Sequence, residues 1–148
     1  MARVLIADDV SDTRLRLTAA LRDHGYEVGE YPSGWELLEA LGEDPTTTDL
    51  VVTDSRMGFP DGLSVATLAR AGGATCPFIV LTGIANERAR KVARGLGDVV
   101  LVEPPAELDR ILEVVAYAIE RPETEELSQW VGAASLFTDN EARDDQDD

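Results

Sequence analysis

Five short runs rich in apolar and β-branched residues recur about every 25 residues along the chain. They are residues 3–7 (RVLIA), 27–31 (EVGEY), 49–53 (DLVVT), 77–81 (PFIVL) and 98–102 (DVVLV). Four of the five are continuous rather than alternating, which is typical of strands buried on both faces of a parallel sheet. The pattern therefore predicts five strands in one parallel sheet.

The segments between these runs have the apolar spacing of helices. Ser11 or Asp12 is expected to cap the first helix, and Gly42 is expected to end the second. The longest helix is predicted within residues 105–122. Strand and helix alternate five times, so we predict a doubly wound α/β layer with right-handed crossovers.

The charge of the chain is strongly acidic and divides the sequence into two parts. The net charge is -16 over 148 residues, and residues 122–148 carry nine acids against Arg143 alone. We predict one domain over 1–121 and an acidic C-terminal extension over 122–148. Within the extension, the spacing of apolar residues predicts a short amphipathic helix over 123–136.

Composition also narrows the partners and the location. So acidic a chain repels phosphate backbones, which disfavours nucleic acid as a partner. No apolar run approaches the roughly 20 residues that span a bilayer, so no membrane association is expected. A single cysteine, Cys76, excludes an internal disulfide and fits a cytoplasmic location.

Oxygen-bearing side chains follow four of the five predicted strands. Asp8 and Asp9 follow the first, Asp54 the third, Thr82 the fourth and Glu103 the fifth. In such sheets, binding and active sites lie at the carboxyl ends of the strands. Clustered carboxylates repel one another unless a hard cation neutralises them, and Mg²⁺ prefers such ligands. A magnesium site is therefore predicted; the alternative is that these acids only cap a helix and end a strand.

These residues carry a family resemblance. LIADDV, HGYEV, LVVTDSRM and IVLTG follow in order, with Met57 and Gly62 three and eight positions after Asp54. Over about residues 2–121, the chain resembles a response-regulator receiver domain. The resemblance implies an α/β fold with a flavodoxin-like parallel sheet of five strands in the order 2-1-3-4-5 and five helices.

The resemblance also implies roles for the site residues. Asp54 would be the phosphoacceptor, and Asp8, Asp9, Asp54 and the backbone carbonyl of Arg56 would hold Mg²⁺. Thr82 would bond a phosphoryl oxygen. The donor would be a sensor histidine kinase or a phosphotransfer protein, and the face made by helix 4, strand 5 and helix 5 would contact a downstream protein or form a homodimer.

Three positions depart from the family pattern. Glu103 stands where receivers place a lysine, Val100 stands where they carry Tyr or Phe, and Gly58 replaces a proline. Lys91 is the sole lysine and is predicted to face solvent. We expect Arg56 to pair with Glu103; the alternatives are that Arg56 reaches toward a phosphoryl oxygen or stays exposed without a partner.

Three functions remain open from the sequence. The first is a single-domain receiver that is not an enzyme and signals by protein–protein interaction. The second is a pseudo-receiver that acts without phosphorylation. The third is a small phosphohydrolase with Asp54 as nucleophile, although ADDV lacks the Asp-x-Asp spacing that such enzymes place on the first strand.

Overall fold

The computed structural model describes residues 1–43, 46–83, 86–103 and 107–121. Within them, strands and helices alternate. The elements are β1 (Arg3–Ala7), α1 (Ser11–Asp23), β2 (Glu27–Tyr31), α2 (Gly34–Glu43), β3 (Leu50–Asp54), α3 (Gly62–Ala71), β4 (Phe78–Leu81), α4 (Glu87–Leu96), β5 (Val99–Val102) and α5 (Leu108–Glu120). The helix predicted over 123–136 lies outside the described residues.

The strands form one parallel sheet in the order β2-β1-β3-β4-β5. This confirms the predicted fold. The register pairs Ala7 with Thr53 and Asp54 with Leu81. The carboxyl ends of β1, β3 and β4 therefore lie side by side at one edge of the sheet.

Both faces of the sheet are covered by helices. Side chains alternate along a strand, so Val4 and Ile6 pack against α1 and α5, whereas Leu5 and Ala7 pack with residues of α2 and α3. The four inner residues of β1 and all of β5 are buried. The strand segments are continuously apolar in sequence because helices cover both faces of the sheet.

Two helix boundaries differ from the prediction. Val10 is the N-cap residue of α1, which has no side-chain cap bond, because Ser11 and Asp12 already lie within the helix. The Val10 N–H instead donates to Asp8 Oδ1 at 2.9 Å. Helix α2 continues through Gly42 to Glu43, so the glycine does not end it.

The half-buried Arg70 of α3 joins three elements at the amino-terminal end of the sheet. The Arg70 guanidinium donates to backbone carbonyls before β4, at 2.7 Å to Cys76 and 3.1 Å to Ala74. It also donates to carbonyls at the end of α4, at 2.9 Å to Gly97 and 3.4 Å to Leu96. Burial lowers the pKa of Arg70, and contacts with charged and polar neighbours partly oppose this shift. Since an arginine still remains charged, its N–H groups satisfy carbonyls that would otherwise be buried without a donor.

Candidate functional site

Three carboxylates converge at the carboxyl edge of the sheet. Asp8 and Asp9 follow β1, and Asp54 is the last residue of β3. One carboxylate oxygen from each lies within 4.8 Å of the others, a spacing that a single metal ion can bridge. Asp8 is 5% exposed, Asp54 is half-buried and Asp9 is exposed, so the cluster opens to solvent on one side.

Burial and like charge act together on Asp8. Burial raises the pKa of its carboxyl, as do the charges of Asp54 and Asp9. The Val10 N–H bond and the charge of Arg14 oppose this shift. A divalent cation would remove the repulsion, and three oxygen donors with one open side suit Mg²⁺, which keeps several of its waters. The residues present therefore fit such an ion.

Arg14 holds the backbone of the acid pair. Its Nη1 donates to the carbonyl of Asp8 at 2.6 Å, and its Nε lies 3.2 Å from Oε1 of Glu30 on β2. The sequence did not predict a role for this residue. Its position soon after the acid pair on α1 was the sole available signal, and spacing alone does not show where a long side chain points.

The loop after Asp54 depends on two glycines. The Arg56 N–H donates to Asp54 Oδ1 at 3.3 Å. A Cβ atom on Gly62 would lie 2.9 Å from the carbonyl oxygen of Asp54, so only glycine lets α3 begin this close to β3. Gly58 has φ +78°, which proline cannot adopt because its ring holds φ near about -65°. A proline at position 58 would therefore require a different loop conformation.

Thr82 and Arg56 lie at the mouth of the site. Thr82 is 6% exposed, and its N–H donates to the carbonyl of Val102 at 2.9 Å. A cleft of about 590 Å³ is lined by Asp9, Asp54, Arg56, Thr82 and other residues. The structure thus brings Asp9, Asp54 and Thr82 to one opening, and Asp8 belongs to the same carboxylate cluster.

The prediction that Arg56 forms an ion pair with Glu103 is wrong. Glu103 Oε1 lies 3.9 Å from Nη1 of Arg90, and both side chains are 31% exposed. The Arg56 guanidinium instead lies beside Gly83, where a Cβ atom would be 2.7 Å from its Nη2. Arg90 lies on α4, and its side chain extends to Glu103, the residue directly after β5.

The sequence did not predict the contact of Arg90 with Glu103. Ala89 and Ala93 are the half-buried and buried residues of α4 next to it, so Arg90 flanks the inner side of that helix. The apolar residues Ala89 and Ala93 near Arg90 in the sequence could have indicated that this arginine lies at the edge of the packed face of α4. Lys91 is exposed, as predicted.

The family model described as the response regulator receiver domain matches residues 4–116. The chain belongs to this family. As a receiver domain it is a module of two-component signalling.

Individual relatives agree with this assignment. The transcriptional regulatory protein PdtaR of Mycobacterium tuberculosis is 32% identical over 120 residues, which are 80% of this chain and 57% of PdtaR. The response regulator receiver protein CpdR of Brucella abortus is 34% identical over 85 residues, 57% of this chain and 69% of CpdR. The chain thus spans little more than half the length of PdtaR.

Solved receiver structures share the fold. A receiver domain protein from Clostridium thermocellum superposes with a TM-score of 0.73 at 23% identity, covering 82% of this chain and 96% of that one. Among the described residues of this receiver domain, no helix has the length and apolar character needed to cross a membrane.

The carboxyl edge of this receiver domain carries charges of both signs. Asp8, Asp9 and Asp54 form the carboxylate cluster, whereas Glu103, the residue after β5, lies against Arg90 of α4. Two arginines contact this cluster through the backbone: Arg14 Nη1 donates to the carbonyl of Asp8 at 2.6 Å, and the Arg56 N–H donates to Asp54 Oδ1 at 3.3 Å.

Proposed function

We propose that this receiver domain is a phosphorylatable single-domain response regulator in which Asp54 accepts the phosphoryl group. The observation that carries the proposal is the convergence of Asp8, Asp9 and Asp54 within 4.8 Å at an open cleft. Output occurs by protein–protein interaction, and the domain is not an enzyme. The donor is a sensor histidine kinase, a phosphotransfer protein or a small acyl phosphate.

Transfer requires an in-line attack by Asp54. A carboxylate oxygen of Asp54 bonds to phosphorus while the bond from phosphorus to the donor breaks, and the donor atom leaves with that electron pair. The N–H of Arg56 holds Oδ1 and so orients the carboxylate. The Thr82 hydroxyl, in the same cleft, bonds a phosphoryl oxygen.

Asp8, Asp9, Asp54 and the backbone carbonyl of Arg56 would hold Mg²⁺. The ion supplies charge neutralisation between the carboxylates and the phosphoryl oxygens, which is the main requirement of phosphoryl transfer. Arg14 serves this arrangement by fixing the backbone of Asp8.

Intact-mass spectrometry after incubation with acetyl phosphate tests the proposal. We expect the mass of one added phosphoryl group on the wild-type chain with Mg²⁺, and none with Asp54→Asn or without the metal. Asp61→Asn is the matched control, because this carboxylate lies in the same loop and asparagine keeps its cap bond to the Ser64 N–H, 2.8 Å in the wild type. Labelling of Asp54→Asn would contradict the proposed acceptor.

Phosphorylation-independent signalling is the second candidate, and Glu103 is the observation that favours it. An acid in place of the lysine opposes an incoming phosphoryl group. A wild-type chain that takes no label, beside a Glu103→Lys variant that does, would support this candidate. Steady release of phosphate from a simple phosphate ester would instead indicate the hydrolase alternative.

The partner surface is proposed on α4, β5 and α5. Arg88, Lys91 and Arg94 are exposed on α4, whereas Asp109 and Glu113 are exposed on α5. Opposed charges on neighbouring helices suit a downstream protein or a reciprocal homodimer contact. Glu87 already lies 3.1 Å from Arg94 within the chain, so part of this charge is paired internally.

A further inference from the structure

We infer that Arg56 contacts the transferred phosphoryl group and supplies there the positive charge that the strand-5 lysine supplies in other receivers. This inference rests on the proposed function and names the residue that makes it workable without the lysine. It concerns the side chain of Arg56, whereas the metal site uses its backbone carbonyl.

The first observation is the position of Arg56. Its N–H is bonded to the Asp54 carboxylate at 3.3 Å, so the residue is tied to the acceptor itself. Its side chain lines the cleft of about 590 Å³ and a neighbouring cleft of about 270 Å³. Thr82 and Gly83 line both clefts as well. Arg56, Thr82 and Gly83 are thus shared by the two clefts, one of which also contains Asp54.

The second observation is the space that Gly83 leaves. A Cβ atom at this position would lie 2.7 Å from Nη2 and 3.4 Å from Cζ of Arg56. The guanidinium therefore lies in the volume that any side chain at position 83 would need. Glycine lets the Nη2 end of the guanidinium approach the backbone directly after Thr82.

The third observation is that Arg90 already lies near two carboxylates and that Lys91 is exposed, whereas Arg56 has no ion-pair partner among the described residues. Arg90 lies 3.9 Å from Glu103 and 3.7 Å from Glu87, and Lys91 is exposed on α4. Within the described ranges, no carboxylate is within ion-pair distance of the Arg56 guanidinium. Arg56 can therefore turn toward an incoming anion without breaking an existing pair. Its planar fork of N–H groups matches phosphate oxygens, which it can bind in pairs.

The test compares initial rates of labelling by acetyl phosphate at saturating Mg²⁺. Arg56→Met keeps the length and the backbone carbonyl but removes the charge, and we expect labelling to slow about tenfold to a hundredfold. Arg56→Lys should restore most of the rate. Arg16→Met, which removes an exposed charge from α1, should stay within about twofold of the wild type.

Gly83→Ala provides a second route to the same group. The added methyl displaces the guanidinium, so labelling should slow in the wild-type background and remain unchanged in the Arg56→Met background. Mg²⁺ affinity, measured by titration calorimetry, should not fall in Arg56→Met, because the carbonyl ligand remains and a cation leaves the vicinity of the acids.

The outcomes separate this inference from the proposed function. Equal rates for the wild type and Arg56→Met overturn the inference and leave Asp54 as the acceptor. A loss of Mg²⁺ affinity in Arg56→Met also overturns it, because the effect would then arise at the metal site. A wild-type chain that takes no label overturns the proposed function, and the inference with it.

Discussion

We expect Glu103 to oppose an incoming phosphoryl group more than Arg90 can offset. Two unit charges about 4 Å apart at an effective dielectric near 20 interact by roughly 4 kcal/mol. An ion pair at the surface contributes only about 0–1 kcal/mol. The Glu103–Arg90 contact is 3.9 Å long and both side chains are 31% exposed, so it belongs to the weaker class. Glu103 therefore still slows the approach of a phosphoryl group, although less than an isolated acid would.

Changes at this pair should move the labelling rate in opposite directions. We expect Glu103→Gln, which keeps the size and removes the charge, to raise the rate with acetyl phosphate about threefold to tenfold. Arg90→Met should lower it by a similar factor, because Glu103 then lacks its cation. Arg88→Met, on the exposed flank of α4, is the control and should have little effect.

The double variant decides whether Arg90 acts through Glu103. Arg90→Met in the Glu103→Gln background should leave the rate of Glu103→Gln unchanged. An equal slowing in both backgrounds would show that Arg90 acts on the donor or on the fold instead.

Predictability at the residue scale depends on what holds each side chain. Asp8, Asp54 and Thr82 could be placed from the sequence, because they end strands whose carboxyl ends must meet at one edge. The pairing of Arg90 with Glu103 could not, because an arginine has several rotamers and the choice depends on neighbouring elements. For the same reason, the position of the Arg56 side chain against Gly83 could not be predicted from the sequence.

At the scale of elements, the site is held by the close approach of α3 to β3. A Cβ atom on Gly62 would lie 2.9 Å from the carbonyl oxygen of Asp54 and 2.9 Å from Val80 Cγ1. Neither atom is the end of a flexible side chain, so the helix or the strand would have to move. Gly95, within α4, has nothing within 4 Å of such a Cβ.

A pair of glycine substitutions tests this packing. Gly62→Ala should lower the free energy of unfolding by about 1–3 kcal/mol through overpacking. It should also weaken Mg²⁺ binding, because the backbone of Asp54 shifts. Gly95→Ala is the control and should raise stability by about 0.5–1 kcal/mol, since alanine favours the helix and meets no obstacle.

Urea unfolding and magnesium titration measure both effects. If the two alanine variants had the same stability and affinity, α3 would not be what positions Asp54.

The elements were largely predictable and their ends were not. Four buried strands were identified because continuous apolar runs report burial on both faces of the sheet. The cap of α1 was wrong because capping depends on the backbone angles of Val10, which composition does not determine. Val100 is 8% exposed and packs within the core, and a valine has no ring whose orientation could change.

At the scale of the whole molecule, acidity governs the encounter with the donor. The net charge is -16, and residues 122–148 contribute half of it. Acetyl phosphate is itself an anion, so the field of the protein repels it before any contact forms. Local cations such as Arg56 act only after this barrier is crossed.

Salt should therefore accelerate labelling at saturating Mg²⁺. Raising ionic strength from about 0.01 M to 0.15 M shortens the Debye length from about 30 Å to 8 Å. We expect the rate with acetyl phosphate to rise about twofold to fivefold as the repulsion is screened. A chain ending at Arg121 should show a smaller rise, because it lacks the -8 of the extension. A rate that falls with salt would mean that attraction by local cations dominates the encounter.

The half-buried Arg70 has a consequence for how this fold tolerates substitution. It holds the entrances of β4 and β5, whereas the acids stand at the opposite ends of the strands. A strand of four residues separates the two ends by about 13 Å. The anchoring of β5 therefore does not depend on the identity of the residue after Val102. A substitution between lysine and glutamate at position 103 would therefore change the charge at the carboxyl end of β5 and leave the strand in place. Signalling chemistry at this position can thus evolve without a loss of folding stability.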